Sequence, residues 1–526
     1  MKVLLVEPSY RRQTESLLKN RTGLSEGQSK RKNRDETLWY PPIGLMKLST
    51  FHRSRGDEVK FVIGTDKSLF SDGPLFASLW DRVYISTLFT FDWENTVSTI
   101  NFYKEAVGNS VHKIYVGGIM ATLNPQVIFD ETGIYPVKGL LTSADKIGLK
   151  DKTNINLLTP DYEILDPRLY AINETFYAYT TRGCENRCVW CGVPDIEPEF
   201  EEYIDIKPMI LEMRSRYGDL SKLKLMDNNV LVSNRLGDIV EDLLQLGYGR
   251  GQHTSDLPRR IRVIDFNQGL DASHIKEETL KLLSKLNIRP MRIAFDRLQE
   301  KDVYEHALRL AKEYGFTEFS NYMLYNCHDT PRDLYDRLII NIKLNKEWQA
   351  KNKKDRAAVY SYPMRFAPIR PIRGESKKRD YAVSNSAKGY DYLSQAKWTK
   401  RFTRNIEVIK GAAHGAISPT PELASRAIGA TYEEFLTNLY MPEELLRNRN
   451  RYEKKLYPND KKRTAGTGDI ENFRKFIIKM LKTQNASFIE FHEAVSQGTK
   501  EAVREYMAKC TNKEVLKWLN FYLHKN

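Results

Sequence analysis

Cysteine is scarce: there are five in 526 residues. That is too few for a disulfide scaffold in a chain of this length, and it points to a reducing, cytoplasmic setting. No stretch approaches the roughly 18 consecutive apolar residues that a membrane span needs. The opening MKVLLVEPSY has too short an apolar run for a secretory signal and reads instead as a first strand. Nor does any repeat recur at a fixed period, beyond an alternation of strand-like and helix-like segments. What is there is an ordinary globular composition. Hydrophobic residues make up 41% and aromatics 11%, enough for cores in two to four domains of roughly 100–200 residues each. Global disorder is excluded.

Acidic charge is also short, with 68 Asp and Glu against 82 Lys and Arg. The imbalance sits at the ends. Residues 1–36 hold 9 basic and 5 acidic side chains and residues 374–526 hold 28 and 18, whereas residues 37–373 balance at 45 of each. Such excess is either the solvated face of ordinary helices or a tail that meets a polyanion such as nucleic acid, where phosphate neutralisation drives binding. Tyr and Trp interleaved with Lys and Arg in YDYLSQAKWTKRFTRN (390–405) would suit the second.

Three regions follow from periodicity. From 1 to about 150, short β-branched runs (KVLLVEP, EVKFVIG, VYISTLF, KIYVGGI) alternate with helical stretches such as GLMKLSTFHRSRG, which predicts an open parallel sheet. Residues 11–36 interrupt it with a polar, charged insertion that reads as a loop. From about 160 to 373, six strand candidates appear: FYAYTTR, KLKLMD, RVIDFNQ, MRIAFD, FSNYMLYN and VYSYPMRF. Each of the first five is followed by a helical stretch. In DASHIKEETLKLLSKLN, Ile275, Leu282, Leu283 and Leu286 share one face and Ser273 is the expected N-cap. Six such units suggest an incomplete barrel. Polar residues fall where each strand gives way to its loop (Arg182, Asp227, Gln268, Asp296, Asn326 and Arg365), the edge at which parallel α/β architectures build sites. From 374 to 526 strand signals vanish and helical periodicity dominates.

Three of the five cysteines, Cys184, Cys188 and Cys191, lie within TTRGCENRCVWCGVP (180–194). Thiolates this close can bind one soft cofactor. Structural zinc takes four ligands, and no fourth cysteine or histidine is nearby; Cys327 and His328 could complete a set only through the fold. An iron–sulfur cubane is normally held by four cysteines, so three would leave one iron open. Cys327 itself reads as a small buried hydrophobe, and His328 as an acid–base candidate.

The C-x3-C-x2-C spacing, with Trp190 before the last cysteine at the end of a strand, resembles the radical S-adenosylmethionine superfamily. TTRGC is similar to the lead-in of its members with an N-terminal cobalamin-binding-type domain and of its methylthiotransferases. The resemblance implies a 4Fe–4S cluster on Cys184, Cys188 and Cys191, with the amino and carboxylate groups of S-adenosylmethionine on the fourth iron. A one-electron donor such as flavodoxin or ferredoxin would supply the electron. Reductive cleavage would then give a 5′-deoxyadenosyl radical that abstracts hydrogen from substrate, the difficult chemistry belonging to the cofactor. On this reading the missing fourth cysteine is a requirement. The resemblance covers about 170–370 and implies a (β/α)6 core. It points to Trp190 beside the cofactor and to Asp227, Asn228 and Asn229 for the methionine amino group. Gln268, Asp271, Arg292 and Asp296 would meet ribose and carboxylate, with Asn326 and Met364 near adenine.

The first region resembles the Rossmann-like cobalamin domain of the same class through YPPIGLMKLSTFHRSRGDEVKFV and YVGGIMATLNP. The D-x-H-x-x-G signature that supplies an axial histidine is missing, and neither His52 nor His112 sits in such a context. The expectation is a degenerate domain at 1–150, with cobalamin kept as an alternative cofactor. KWTKRFTRNIEVIKGAAHGAISPTP and FLTNLYMPEELLRNR resemble the C-terminal part of a bacterial and phage group of radical proteins with this three-region plan. Substrate stays open: a nucleic acid or a peptide are candidates. The alternatives are a non-catalytic iron–sulfur protein for electron transfer or sensing, and a cobalamin-dependent methyltransferase of the same superfamily.

Overall fold

The computed structural model describes residues 1–9, 38–70, 79–188, 190–327, 329–350, 356–366, 398–411, 415–452, 467–483 and 485–523. The expectations for the insertion at 11–36, for His328 and for 374–397 lie outside them. The chain divides into two compact units between Arg289 and Pro290, inside the 160–373 span read as one domain.

In the first unit, β1 (Lys2–Glu7), β2 (Glu58–Ile63), β3 (Arg82–Thr87) and β4 (Ile114–Gly118) form a parallel sheet in the order β2-β1-β3-β4. The sequence KVLLVE dictates a strand covered on both faces, because side chains alternate and all four central residues are apolar. Leu4 and Val6 enter one core with Ile100 and Tyr103, and Val3 and Leu5 enter the other with Leu45, Leu48 and Phe51. The helices supplying those layers are α1 (Ile43–Ser54) and α2 (Trp93–Ala106). Two short helices, α3 (Ile119–Leu123) and α4 (Pro125–Thr132), follow β4. The turn into α3 needs Gly118: its φ is +104° and a Cβ there would run into the Thr87 carbonyl. The Thr87 hydroxyl fixes the same corner, donating to the Gly117 carbonyl at 2.9 Å and accepting from the Ala121 N–H at 2.9 Å.

The same unit holds a second parallel sheet, β5 (Thr175–Ala178), β6 (Lys222–Leu225) and β7 (Val263–Phe266), in chain order. Between them run α5 (Val193–Ile196), α6 (Lys207–Tyr217) and α7 (Leu236–Gln245), and α8 (Glu277–Leu283) follows β7. Here the expected cap moves. Asp271 caps a 3-10 turn over Ala272–His274. The helix proper begins four residues after Ser273, where the Thr279 hydroxyl takes the Lys276 N–H at 2.9 Å. An aspartate two residues upstream outcompetes the serine for the local N–H groups. Of the predicted face, Ile275, Leu283 and Leu286 are buried, while Leu282 is half-exposed and Leu280 is buried instead.

In the second unit β8 (Met291–Arg292), β9 (Glu318–Tyr325) and β10 (Ala358–Arg365) form a parallel sheet ordered β10-β9-β8, with α9 (Lys301–Glu313) and α10 (Pro331–Gln349) after the first two. All six strands of the middle region are therefore present, three in each unit. A buried amide ladder ties α9 and α10 to the sheet: Asn321 Nδ2 donates to Tyr304 Oη (2.9 Å), Tyr304 to Asn341 Oδ1 (3.0 Å), and Asn341 to Ser361 (2.8 Å). Beyond residue 398 the regular elements among the described residues are all helices, α11 (Lys400–Gly411), α12 (Pro421–Ile428), α13 (Tyr432–Tyr440), α14 (Glu443–Tyr452), α15 (Thr467–Thr483), α16 (Ala486–Ser496), α17 (Lys500–Met507) and α18 (Lys513–Phe521). No helix among the described residues is long and apolar enough to cross a membrane.

Candidate functional site

Leaving β5, the chain runs Tyr179, Thr180, Thr181, Arg182, Gly183, Cys184, and nearly every step is held by a group from elsewhere in the first unit. Asp227, just past β6, is the clamp. Its Oδ1 accepts the Thr180 N–H (2.8 Å) and the hydroxyls of Thr180 (2.7 Å) and Thr181 (2.8 Å), with the Thr181 N–H as a fourth donor. Burial lifts this carboxyl above the usual carboxylate range, while the threonine donors pull the other way.

Arg182 comes next. It is buried, its guanidinium 3.3 Å from the Tyr179 ring centre. It donates to Glu197 Oε1 (2.7 Å) and to Asn156 Oδ1 (2.7 Å). Glu197 Oε2 takes the Gly183 N–H (2.7 Å) and Asn228 Nδ2 (2.8 Å). Gly183 cannot be replaced without strain, since its φ is +78° and a Cβ would run into the Glu199 carbonyl.

The cysteines sit on the loop so anchored. Cys184, Cys188 and Cys191 are each half-buried, and the Cys191 N–H bonds the Cys188 carbonyl at 3.0 Å. Asn186, between the first two, donates to Asp271 Oδ2 at 3.0 Å and so ties the loop to the exit of β7. Trp190 is half-buried. Among the described residues no three His, Cys, Asp or Glu side chains converge as ligands of a single metal ion. Three cysteine sulfurs on one loop are of the donor type that an iron–sulfur cluster takes.

The other expected residues divide by unit. In the first, Asp227 Oδ2 and Asn229 Oδ1 are buried with no hydrogen-bond partner, whereas Asn228 is turned to Glu197. Gln268 is exposed. Asp271 stays below the usual range although burial opposes it, because Ser273 and Asn186 donate to it. In the second unit, Arg292 donates to Ser320 Oγ (3.1 Å) and lies 5.5 Å from the Tyr322 ring centre. Asp296 accepts the Leu324 N–H (2.8 Å), and burial raises its carboxyl. Asn326 is fully buried in the left-handed region (φ +63°), both polar atoms of its side chain unpartnered. Met364 is exposed and Arg365 half-buried. Cys327 is buried, its thiol pushed up to about 11 chiefly by that burial.

Neither histidine that lacked a cobalamin-type context stands apart from the fold's own needs or from solvent: His52 Nδ1 engages Asp57 (2.7 Å) and its Nε2 the Tyr84 hydroxyl (3.0 Å), and His112 is exposed before the start of β4. In the basic stretch offered for nucleic acid, Trp398 is buried with its Nε1 donating to the Asp329 carbonyl (2.8 Å), and Arg401 is buried 4.9 Å from the Tyr522 ring centre. Those two side chains pack the second unit's core.

Sequence reasoning missed Glu197 and Lys47. A carboxylate six residues past Cys191 carries no local signal. Lys47 did carry one: it stands four residues before Phe51 on the buried face of α1.

No protein-family model matches the chain, and no curated protein matches it in sequence. Several solved structures match part of it. One is SuiB from Streptococcus suis bound to S-adenosylmethionine, 11% identical with a TM-score of 0.24. The match spans 42% of this chain and 44% of that one, so less than half of either is covered.

Proposed function

We propose that this chain is a radical S-adenosylmethionine enzyme. The observation that carries the reading is a trio of half-buried cysteines, Cys184, Cys188 and Cys191, on one loop anchored at the mouth of a parallel strand. They would hold a 4Fe–4S cluster, which when bound supplies the electron that splits S-adenosylmethionine to a 5′-deoxyadenosyl radical. Asp227 Oδ2 and Asn229 Oδ1 are buried acceptors lacking donors, and they suit the methionine ammonium. Gln268, Asp271, Arg292 and Asp296 are assigned to ribose and carboxylate, and Asn326 and Met364 to adenine. The alternation of parallel strands with helices along residues 175–365 supports the expected (β/α)6 core.

The test is anaerobic reconstitution with iron and sulfide, reduction by dithionite or flavodoxin, and a search for 5′-deoxyadenosine. Wild-type protein should gain visible iron–sulfur absorbance and release the nucleoside. Cys188→Ala should lose both. Retained absorbance in that variant would overturn the cluster assignment, and a loaded wild type that never cleaves S-adenosylmethionine would overturn the enzyme reading.

A further inference from the structure

The first unit contains a cavity of about 430 Å³, within the usual range of small-molecule sites. Its walls come from the C-terminal ends of β3 and β4 (Ser86, Gly117), from α1 (Leu45, Lys47), and from the loops beyond β5 and β6 (Tyr179, Met226). Aliphatic side chains and glycines make up most of the lining. Three charged side chains line it: Lys47, Arg182 and Glu197. Arg182 and Glu197 neutralise one another at 2.7 Å. Lys47 is left with the Asn156 carbonyl and, 6.0 Å away, the Tyr179 ring. No carboxylate pairs with it among the described residues. The remaining titratable groups on the wall are phenols, Tyr84, Tyr115 and Tyr179, and burial pushes Tyr84 (to about 12) and Tyr179 further from ionising. The cavity therefore carries one uncompensated positive charge whenever Lys47 is protonated.

We propose that this cavity is a binding site for a small amphiphilic monoanion, a carboxylate on an apolar body, with Lys47 as its counter-ion. A lone buried ammonium is unfavourable unless paired, and an entering carboxylate supplies the missing charge and acceptor together. The aliphatic walls then take the apolar body, from which water is released. Burial first, and the Arg182 charge second, lower the Lys47 amine to about 7 in the empty cavity. Binding the anion must therefore draw a proton onto Lys47 at any pH above that. Asn228 and Gln268 line the same space, but the site needs no iron, reductant or S-adenosylmethionine, so it stands or falls apart from the radical reading.

The experiment is calorimetric titration of the full chain, without cluster, using decanoate and its neutral counterpart decanol as probes. Decanoate should bind at least tenfold more tightly than decanol at pH 7. Its affinity should fall towards tenfold per pH unit above about pH 7, with proton uptake seen by comparing buffers of different ionisation enthalpy. Lys47→Met should remove the preference for decanoate while keeping decanol binding. Equal affinity for the two probes, no decanoate binding at millimolar concentration, or an unchanged preference in Lys47→Met would each overturn the proposal. The wild-type comparison and its pH profile decide the matter even if the variant fails to fold.

Discussion

Replacing Glu197 with glutamine probes the anchor of the cysteine loop. Glu197 is 8% exposed and Arg182 6%, so the pair lies out of solvent. Its two oxygens serve three donors: Arg182, the Gly183 N–H and Asn228. Glutamine keeps the shape but removes the charge and turns one acceptor into a donor aimed at donors. Removing one partner of a buried ion pair costs about 3–5 kcal/mol. Arg182 would keep the Asn156 oxygen and the Tyr179 ring face, which places the expected loss at the lower end, about 3 kcal/mol. Arg182→Met, leaving the carboxylate with the Gly183 and Asn228 donors, should lose about 2–3 kcal/mol on the same grounds. The double variant has neither charge, and a buried pair replaced on both sides is close to neutral. It should sit no more than about 1 kcal/mol below wild type, a coupling of roughly 4–6 kcal/mol.

Native-state hydrogen exchange in urea, read on peptides covering β5 and β6, reports the opening free energy of this region. A double variant destabilised by the sum of the two single losses would refute the reasoning, because Arg182 and Glu197 would then not act as a pair. The same substitution leaves Lys47 and Arg182 facing each other without a compensating anion. The Lys47 amine should fall further and the pH at which decanoate affinity begins to drop should move down with it.

Gly183→Ala should disrupt the cysteine loop by more than about 1 kcal/mol, reducing iron loading on reconstitution while the exchange protection of β1 and β3 stays unchanged. Lys47 titrates near 7 in the fold against 10.5 for the free side chain. Between those values the unfolded chain binds the extra proton, so stability should rise with pH from about 7 to 10, by at most about 5 kcal/mol. Lys47→Met should abolish that slope in urea titrations and be the more stable protein at pH 7. Arg337 is fully buried, donating to the carbonyls of Phe295 (2.9 Å), Asp296 (3.0 Å) and Leu324 (2.9 Å) and to Asp329 Oδ2 (2.7 Å). Lysine lacks that planar fork, so Arg337→Lys should lose about 3 kcal/mol, visible as a lower urea midpoint in the second unit.

The strands were legible because their signal is local. KVLLVE needs only alternation and two covered faces to be read, and the six strands after residue 160 were bounded the same way. The helix after β7 was misread at its start because serine and aspartate both cap, and sequence does not say which will take the free N–H groups. The division at residue 289 was invisible for a different reason: where one unit's packing ends depends on contacts between distant segments.

Site residues obey the same distinction. Three thiols within eight positions declare themselves, whereas the clamp on their loop joins Asp227 to Thr180 across 47 residues, and the Lys47 cavity draws on residues from 44 to 268. The polar rim predicted from strand ends also proves mixed in purpose. Arg182 is occupied with Glu197, and Asp296 with the Leu324 N–H. A polar residue at a strand end is therefore as apt to brace the loop as to meet a ligand. What separates the two roles is whether its polar atoms are already spent. Asp227 Oδ2, Asn229 Oδ1 and both side-chain polar atoms of Asn326 are buried and unspent, and Lys47 is buried without a counter-ion. These unmet demands mark where bound molecules would be felt most strongly, since each can be relieved only by a partner that the fold itself does not provide.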